Sequence, residues 1–314
     1  MEIKAERLQR TVNICIEKDK AAAARFFNVD VETISRYLRL ARERGIVPTE
    51  EVVEPKRPNV LIFDVETSLL TFWGWQLGKA HINAGQLKSD WYVHSWAGKW
   101  LCESDVFSSG QTGKEAIAGD DERIVQEMWE FMDKADVIIA HNAWGFDIRK
   151  LNARFIYYDM YPPSPYQVVD TLRVAQRQAL FTSNKQNELC RKLGLSLKVE
   201  HEGLDMWKKC WHGDEEALAK MLEYNKGDIM GLEELYMKLR PWIKSHPNMN
   251  LFVEGDGNGC PNCGSDRIRW MDKMYSTTVN QYSCFRCRDC HAVGRSRTAS
   301  RGKEDRVKIT SVAR

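Results

Sequence analysis

Four acidic residues of this 314-residue chain stand where carboxylates can do chemistry. Asp64 and Glu66 end the apolar run Val60 to Phe63 in NVLIFDVET. That run reads as a buried strand, and residues two apart on a strand share a face. Two like charges held side by side are unfavourable unless a cation lies between them. Asp147 opens a predicted helix in HNAWGFD, after the apolar strand Val137 to Ala140, where the helix N-terminus favours a carboxylate. Asp228 lies four residues after Tyr224 in YNKGD, so the two are neighbours on one face of a long helix, 214–239. Taken singly, these acids read as a strand end, a helix cap and a solvated helix face. Their recurrence in matching contexts makes them a candidate set.

Helices and strands must bring that set together. After the opening strand, Phe72 to Leu77, Trp91 to Trp100 and Asp105 to Ser108 read as strands from their aromatic and β-branched content. Core packing is the expectation for most of those aromatics, with stacking on unpaired bases as the alternative. A hydrophilic stretch, 111–120, leads into a predicted helix, 121–134, with Ile124, Met128, Phe131 and Met132 near helical spacing. Ile148, Leu151 and Phe155 give the helix after Asp147 a buried stripe, and Leu232, Leu235, Tyr236 and Leu239 do so for the last long helix. Gly227 and Gly231 flank Asp228 at a cost to that helix, which a close approach of another chain or a ligand would explain.

Near-balanced charge, at net +2, gives no global electrostatic signature. Its distribution is uneven, since 285–314 holds nine Lys or Arg against three acids. No apolar run reaches the roughly 18 residues of a membrane span, and the charged N-terminus is unlike a signal peptide. The expectation is a cytoplasmic protein with no membrane partner. Nine cysteines, five of them crowded between 260 and 290, favour metal over disulfides in a reducing compartment.

The first 48 residues read as a small helical unit. Ala21 to Phe27 is helix-prone, Asn28 suits a turn, and Asp30 is placed to cap a second helix carrying Ile34, Tyr37 or Leu38, and Ala41. AAARFFNVDVETISRYL resembles a helix-turn-helix, which makes Thr33, Ser35, Arg36 and Arg39 the candidate DNA contacts. The bland alternative is a helical bundle used for packing or protein contacts. Residues 49–58 have the proline and charge content of a linker.

FDVET, HNAWGFD and YNKGD together resemble the three-motif signature of the DnaQ-like 3′–5′ exonucleases, in the subclass with four acids and a tyrosine. The likeness runs over 58–241 and extends to the proofreading exonuclease of family B DNA polymerases. It implies an α/β fold, a ribonuclease H-like mixed sheet flanked by helices, over 59–250. DTLRVA, 170–175, and NELCRKLGLSLK, 187–198, also sit where that family has similar segments. The resemblance implies that Asp64, Glu66, Asp147 and Asp228 hold two Mg²⁺ or Mn²⁺, with Asp64 bridging, and that Tyr224 positions the attacking water. It makes Thr67, His141, Asn142 and Phe146 candidate contacts to the terminal nucleotide, although core packing is the stronger reading for Phe146. Hard oxygen ligands suit those ions, and paired cations roughly 3.5–4 Å apart can clamp both ends of an in-line phosphodiester displacement. DNA is the expected substrate, with RNA or structured ends as the alternative. A non-catalytic DNA-binding or replisome-scaffold protein is a further reading, against which the complete acid set and Tyr224 weigh. A DNA polymerase or other replication protein would be a partner in trans.

Residues 255–298 read as a small zinc ribbon after a Gly-rich linker. CPNC, 260–263, and a second C-x-x-C some twenty residues later fit four thiolates around one Zn²⁺. By spacing, Cys284 with Cys287 and Cys287 with Cys290 are both valid. FRCRDCHAVGR resembles the second half of common zinc ribbons, which favours Cys260, Cys263, Cys287 and Cys290 with Cys284 as the alternate. Arg286, Arg288, Arg295, Arg297, Arg301 and Arg306 suit nucleic-acid backbone contacts. Residues 299–314 read as a flexible basic tail.

Overall fold

The computed structural model describes residues 4–17, 20–46, 58–76, 81–196, 202–252 and 259–310. Most of the expected linkers, 47–57 and 253–258, fall outside the described residues, as do Leu77 and 197–198. The chain divides into two compact units at Lys56 and Arg57.

The first unit has three helices: α1 (Ala5–Glu17), α2 (Lys20–Phe27) and α3 (Val31–Glu43). Asn28 takes a positive φ of 52° at the α2–α3 turn, and Asp30 caps α3 by accepting from the Thr33 amide. Ile34, Tyr37 and Ala41 close on Leu8 and Val12 of α1, a helix the sequence reading left out. Of the candidate DNA contacts, Thr33 and Ser35 spend their hydroxyls on Asp30 and the Val31 carbonyl, while Arg36 and Arg39 are exposed.

The second unit is built on a five-stranded mixed sheet. Its strands are β1 (Val60–Thr67), β4 (Val93–Trp100), β5 (Phe107–Gly110), β6 (Val137–Ala140) and β7 (Gln167–Asp170), while β2 (Thr71–Phe72) and β3 (Leu87–Ser89) form a separate pair. The order is β5-β4-β1-β6-β7, with β6 and β7 parallel to β1, and β4 antiparallel to it. Leu61, Phe63 and Val65 face α5 (Glu122–Asp133) and α6 (Asp147–Tyr157). Val60 and Ile62 face the long helix α10 (Glu215–Leu239), through Ile229, Leu232 and Tyr236. Period-two alternation therefore aims Asp64 and Glu66 at α10 as well.

Four shorter helices surround this core: α4 (Gly113–Ala118), α7 (Thr171–Gln178), α8 (Gln186–Leu193) and α9 (Leu204–Trp211). In α4, Thr112 and Glu115 form a capping box, so the hydrophilic stretch holds a helix announced by T-x-x-E. Lys99 of β4 and Glu233 of α10 form a largely buried ion pair, and Glu233 also accepts from the Cys102 amide. Gly231 lets α10 approach the Ser196 backbone, where a Cβ would meet the carbonyl oxygen at 2.9 Å. The close approach expected there is thus an intramolecular one.

The strand expected over 72–77 is a correction. Among the described residues only Thr71 and Phe72 pair, and Trp73 and Trp75 stand 70% and 97% exposed on either side of Gly74. Core packing holds for Tyr92 and Trp96 but not for these two. Without a partner strand or a layer above, aromatic content does not make a strand.

The chain ends in a three-stranded antiparallel sheet, β8 (Ile268–Ser276), β9 (Gln281–Cys287) and β10 (Val293–Arg295), followed by α11 (Lys303–Val307) within the expected tail. It docks on the core where Asn262 Nδ2 donates to the carbonyls of Arg240 and Ile243, at 2.9 and 3.2 Å. Among the described residues, no helix is long and apolar enough to cross a membrane.

Candidate active site and metal centre

Asp64 and Glu66 come from the end of β1, at the side facing α10. The β1–β4 register shifts between Glu66 and Thr67, so the sheet is irregular right beside the acids. Asp228 arrives from the middle of α10. One carboxylate oxygen from each of Asp64, Glu66 and Asp228 lies within 4.8 Å of the others. Residues more than 160 positions apart thus meet at one sheet edge.

Asp147 is the first residue of α6 and is fully buried, outside that triad. Burial first, then the charge of Asp64, pushes its pKa well above the ordinary carboxylate range. The amides of Asp147 itself and of Val65 lie near enough to oppose that rise in part, yet neither carboxylate oxygen has a well-formed hydrogen bond. A buried acid with unsatisfied oxygens beside a second acid fits a site for hard divalent cations, which would balance the charge and fill the empty lone pairs.

The loop that delivers Asp147 is held from β7. Asp170, buried at the N-terminus of α7, accepts from the amides of Asn142 at 3.1 Å, Leu172 at 3.1 Å and Arg173 at 3.3 Å, and more weakly from Trp144. Asn142 takes a positive φ of 75°, and its carbonyl accepts from the Gly145 and Phe146 amides. Gly145 leaves room for the Asn142 side chain, which a Cβ there would displace. His141 is engaged inside the protein, with Nε2 donating to the Asn184 carbonyl at 2.9 Å and Nδ1 3.0 Å from the Thr171 hydroxyl. Phe146 is partly buried against the core, with the Lys150 ammonium 5.6 Å from its ring centre. Thr67 is the last residue of β1, just past the register shift.

Tyr224 lies one turn before Asp228 on the same face, with Trp207 of α9 edge-on to its ring. Asn225, which the sequence reading missed, is buried to 0% exposure, and its Nδ2 donates to Asp64 Oδ2 at 2.7 Å. Its Oδ1 has no hydrogen-bond partner among the described residues. A spacing of three from Asp228 puts Asn225 on the same helix face, which was the available signal. Asp170 was legible as the cap in DTLR, but not as the anchor of the Asp147 loop.

A second cluster joins the Sγ atoms of Cys260, Cys263, Cys287 and Cys290 within 4.8 Å of one another. Cys260 lies 3.5 Å from Cys290, and Cys263 lies 3.7 Å from Cys287. Those separations match the roughly 3.7 Å edge of a tetrahedron with 2.3 Å zinc–sulfur bonds. Shared protons with Cys263 and Cys290 push the Cys260 thiol up, while hydrogen bonds from Cys260 and Cys263 hold Cys290 down. Four thiolates crowded together call for a cation. Cys284 lies outside the cluster because it is three residues before Cys287 on β9 and so projects to the other face.

A family model described as RNase_H superfamily matches residues 106–240, from β5 through α10. The core is a mixed sheet flanked by helices, similar over that span to the RNase_H superfamily. The matched span includes Asp147, Tyr224 and Asp228, while Asp64 and Glu66 precede it. A comparison with curated proteins finds no match. Among solved structures, the family B DNA polymerase from the hyperthermophilic archaeon Pyrobaculum calidifontis is similar over 69% of this chain, at 16% identity and a TM-score of 0.44. The similar region is 32% of that polymerase, so this chain spans about a third of its length.

Proposed function

We propose that the chain is a metal-dependent 3′–5′ exonuclease that shortens unpaired or frayed DNA 3′ ends to nucleoside monophosphates. The observation that carries this reading is the meeting of Asp64, Glu66 and Asp228 beside the unsatisfied Asp147. The ribonuclease H-like match supports the reaction class, and the DnaQ-like motif order supports the polarity.

Asp64, Glu66, Asp147 and Asp228 would hold one or two divalent cations, and Cys260, Cys263, Cys287 and Cys290 one Zn²⁺. Bound Mg²⁺ or Mn²⁺ supplies charge neutralisation for the attacking, leaving and non-bridging oxygens. Asn225 holds Asp64 in one orientation through its amide. Tyr224 orients the attacking water from one helical turn away, as a hydrogen-bonding group. Water oxygen adds to phosphorus as the bond to the 3′-oxygen of the penultimate nucleotide breaks. That oxygen leaves with a proton from solvent.

Matched DNA and RNA single strands, labelled at either end and incubated with and without Mg²⁺, test the proposal. A 3′ label should be released at once as mononucleotide, and a 5′-labelled strand should shorten stepwise, only with the metal. Internal cuts, or undiminished degradation by a chain carrying both Asp64→Asn and Asp228→Asn, would overturn it. Faster loss of RNA would keep the chemistry and move the substrate.

A further inference from the structure

We propose that one face of the C-terminal three-stranded sheet binds single-stranded nucleic acid, with its phosphates held by Arg269, Arg286 and Arg288. This surface is separate from the carboxylate site and does not depend on that site being catalytic.

Strand register defines the face. Arg269 of β8 lies directly opposite Arg286 of β9, and Tyr275 lies opposite Tyr282. Arg295 of β10 lies opposite Cys284. Directly opposed residues share a face, and so do 282, 284 and 286 along one strand. Arginines and tyrosines therefore gather on one side. The other side is apolar: Trp270 packs edge-on to Phe285, and Gly294 leaves room for the Phe285 ring. Ile268 and Cys287 continue that side into the cysteine cluster.

An arginine directly across a ladder from another arginine is destabilising by itself. Acidic neighbours do not relieve it: among the described residues no carboxylate pairs with Arg269, Arg286 or Arg288, although Arg267 nearby is paired with Asp289. Instead, Arg269, Arg286 and Arg288 line a groove of about 320 Å³ together with His291. Arg286 is braced there by donating to the His291 carbonyl at 3.1 Å. A groove lined by three arginines, His291 and Cys287, with no acid among its lining residues, suits an anion with several oxygens, and arginine binds phosphate in a bidentate manner.

The aromatic part of the face selects the polymer. The Arg295 guanidinium lies 4.1 Å from the centre of the Tyr282 ring and 5.3 Å from that of Tyr275. Tyr275 remains exposed. Phosphate-binding cations beside flat rings are the combination that holds unpaired strands, with bases stacking and the backbone tracking the charge. An acidic peptide would satisfy the arginines but offers nothing to stack on Tyr275.

The test uses the full chain with Asp228→Asn, so that turnover cannot intrude whether or not the core is a nuclease. Binding of a fluorescent oligothymidylate is followed by anisotropy across a salt series. Replacing Arg269, Arg286 and Arg288 with Gln should weaken binding by about tenfold or more at 0.1 M salt. The slope of log affinity against log salt should fall by about two, at roughly 0.7 per phosphate contact on a single strand. Zinc content measured on both proteins shows that the ribbon is intact. Tyr275→Ala should remove a preference for oligothymidylate over an abasic strand of equal charge. Unchanged affinity and slope in the triple variant, with zinc retained, would overturn the proposal. So would polyglutamate displacing the oligonucleotide as well as a second oligonucleotide does, which would assign the face to an acidic protein.

Discussion

The carboxylate cluster and the cysteine cluster are both fitted to hold cations, but they are built in opposite ways. Asp64, Glu66 and Asp228 meet because a sheet and a 25-residue helix pack through a large apolar core. The core exists without the ion and holds the acids together against their repulsion. In the cysteine cluster the buried residues are Cys260, Cys287, Cys290 and Ala292, with Cys263 and Ile268 partly buried. Here the ion would be most of the core. One site is paid for by the fold; the other stabilises the fold.

Zinc removal should produce the largest effect. Stripping it, or replacing Cys287 with Ser, should unfold 259–298 at a cost on the order of 10 kcal/mol in metal-coupled folding free energy. Limited proteolysis with zinc analysis should show cleavage confined to that segment while the core persists. Next come the acids. Asp64→Asn or Asp228→Asn should slow strand degradation by roughly 10²–10³ or more, the range seen on removing a preorganised electrostatic group. Melting temperature should hold or rise, because a repulsion has been removed. A fall of several degrees would mean that the acids support the fold, which would break the contrast.

Acid should separate the regions in a third way. His94 is fully buried on β4, and burial pushes its pKa down to about 4 from 6.5, partly opposed by a hydrogen bond with Gln111 and the charge of Asp121. Between pH 6.5 and 4 the unfolded chain binds the proton and the folded chain does not, so stability rises with pH across that window. The contribution is fully present above 6.5 and falls by up to about 3 kcal/mol as pH drops to 4. Denaturation across this range should show the slope in the core, and His94→Gln should flatten it. The smallest effect is expected from Asn225→Ala, which unties Asp64 but leaves every acid present. Activity at saturating Mg²⁺ should fall about tenfold, with a higher metal requirement and an unchanged KM for the strand; a raised KM alone would mean that Asn225 acts on substrate binding instead.

How much of this was legible in the sequence follows from how local each cause is. Val137 to Ala140 reads as a strand and 121–134 as a helix because their patterns are set by burial against one layer. The side of β1 that carries Asp64 and Glu66 follows from alternation alone. Trp73 and Trp75 misled because composition does not say whether a partner strand exists. Cys284 and Cys290 were equally good partners for Cys287 by spacing, and β9 decides between them by running straight through Cys284 and Cys287, which puts those two on opposite faces. Asn225 and Asp170 could not be assigned from pattern, since an amide inside a helix and a cap before one are ordinary until another segment arrives.

Helix α10 carries Tyr224, Asn225 and Asp228 on one rigid rod, clamped further along by Glu233 and meeting the ribbon at Arg240. Its angular phase is therefore shared by everything fastened to it. Adding a single residue between Asn225 and Asp228 would turn the two sides by about 100° relative to each other. Either Tyr224 and Asn225, or Asp228 together with the Glu233 clamp, would then point away from the sheet, whereas the same addition at the exposed 103–105 turn could be absorbed as slack. Tolerance to length changes should thus differ sharply along this chain, and be least where the helix is longest.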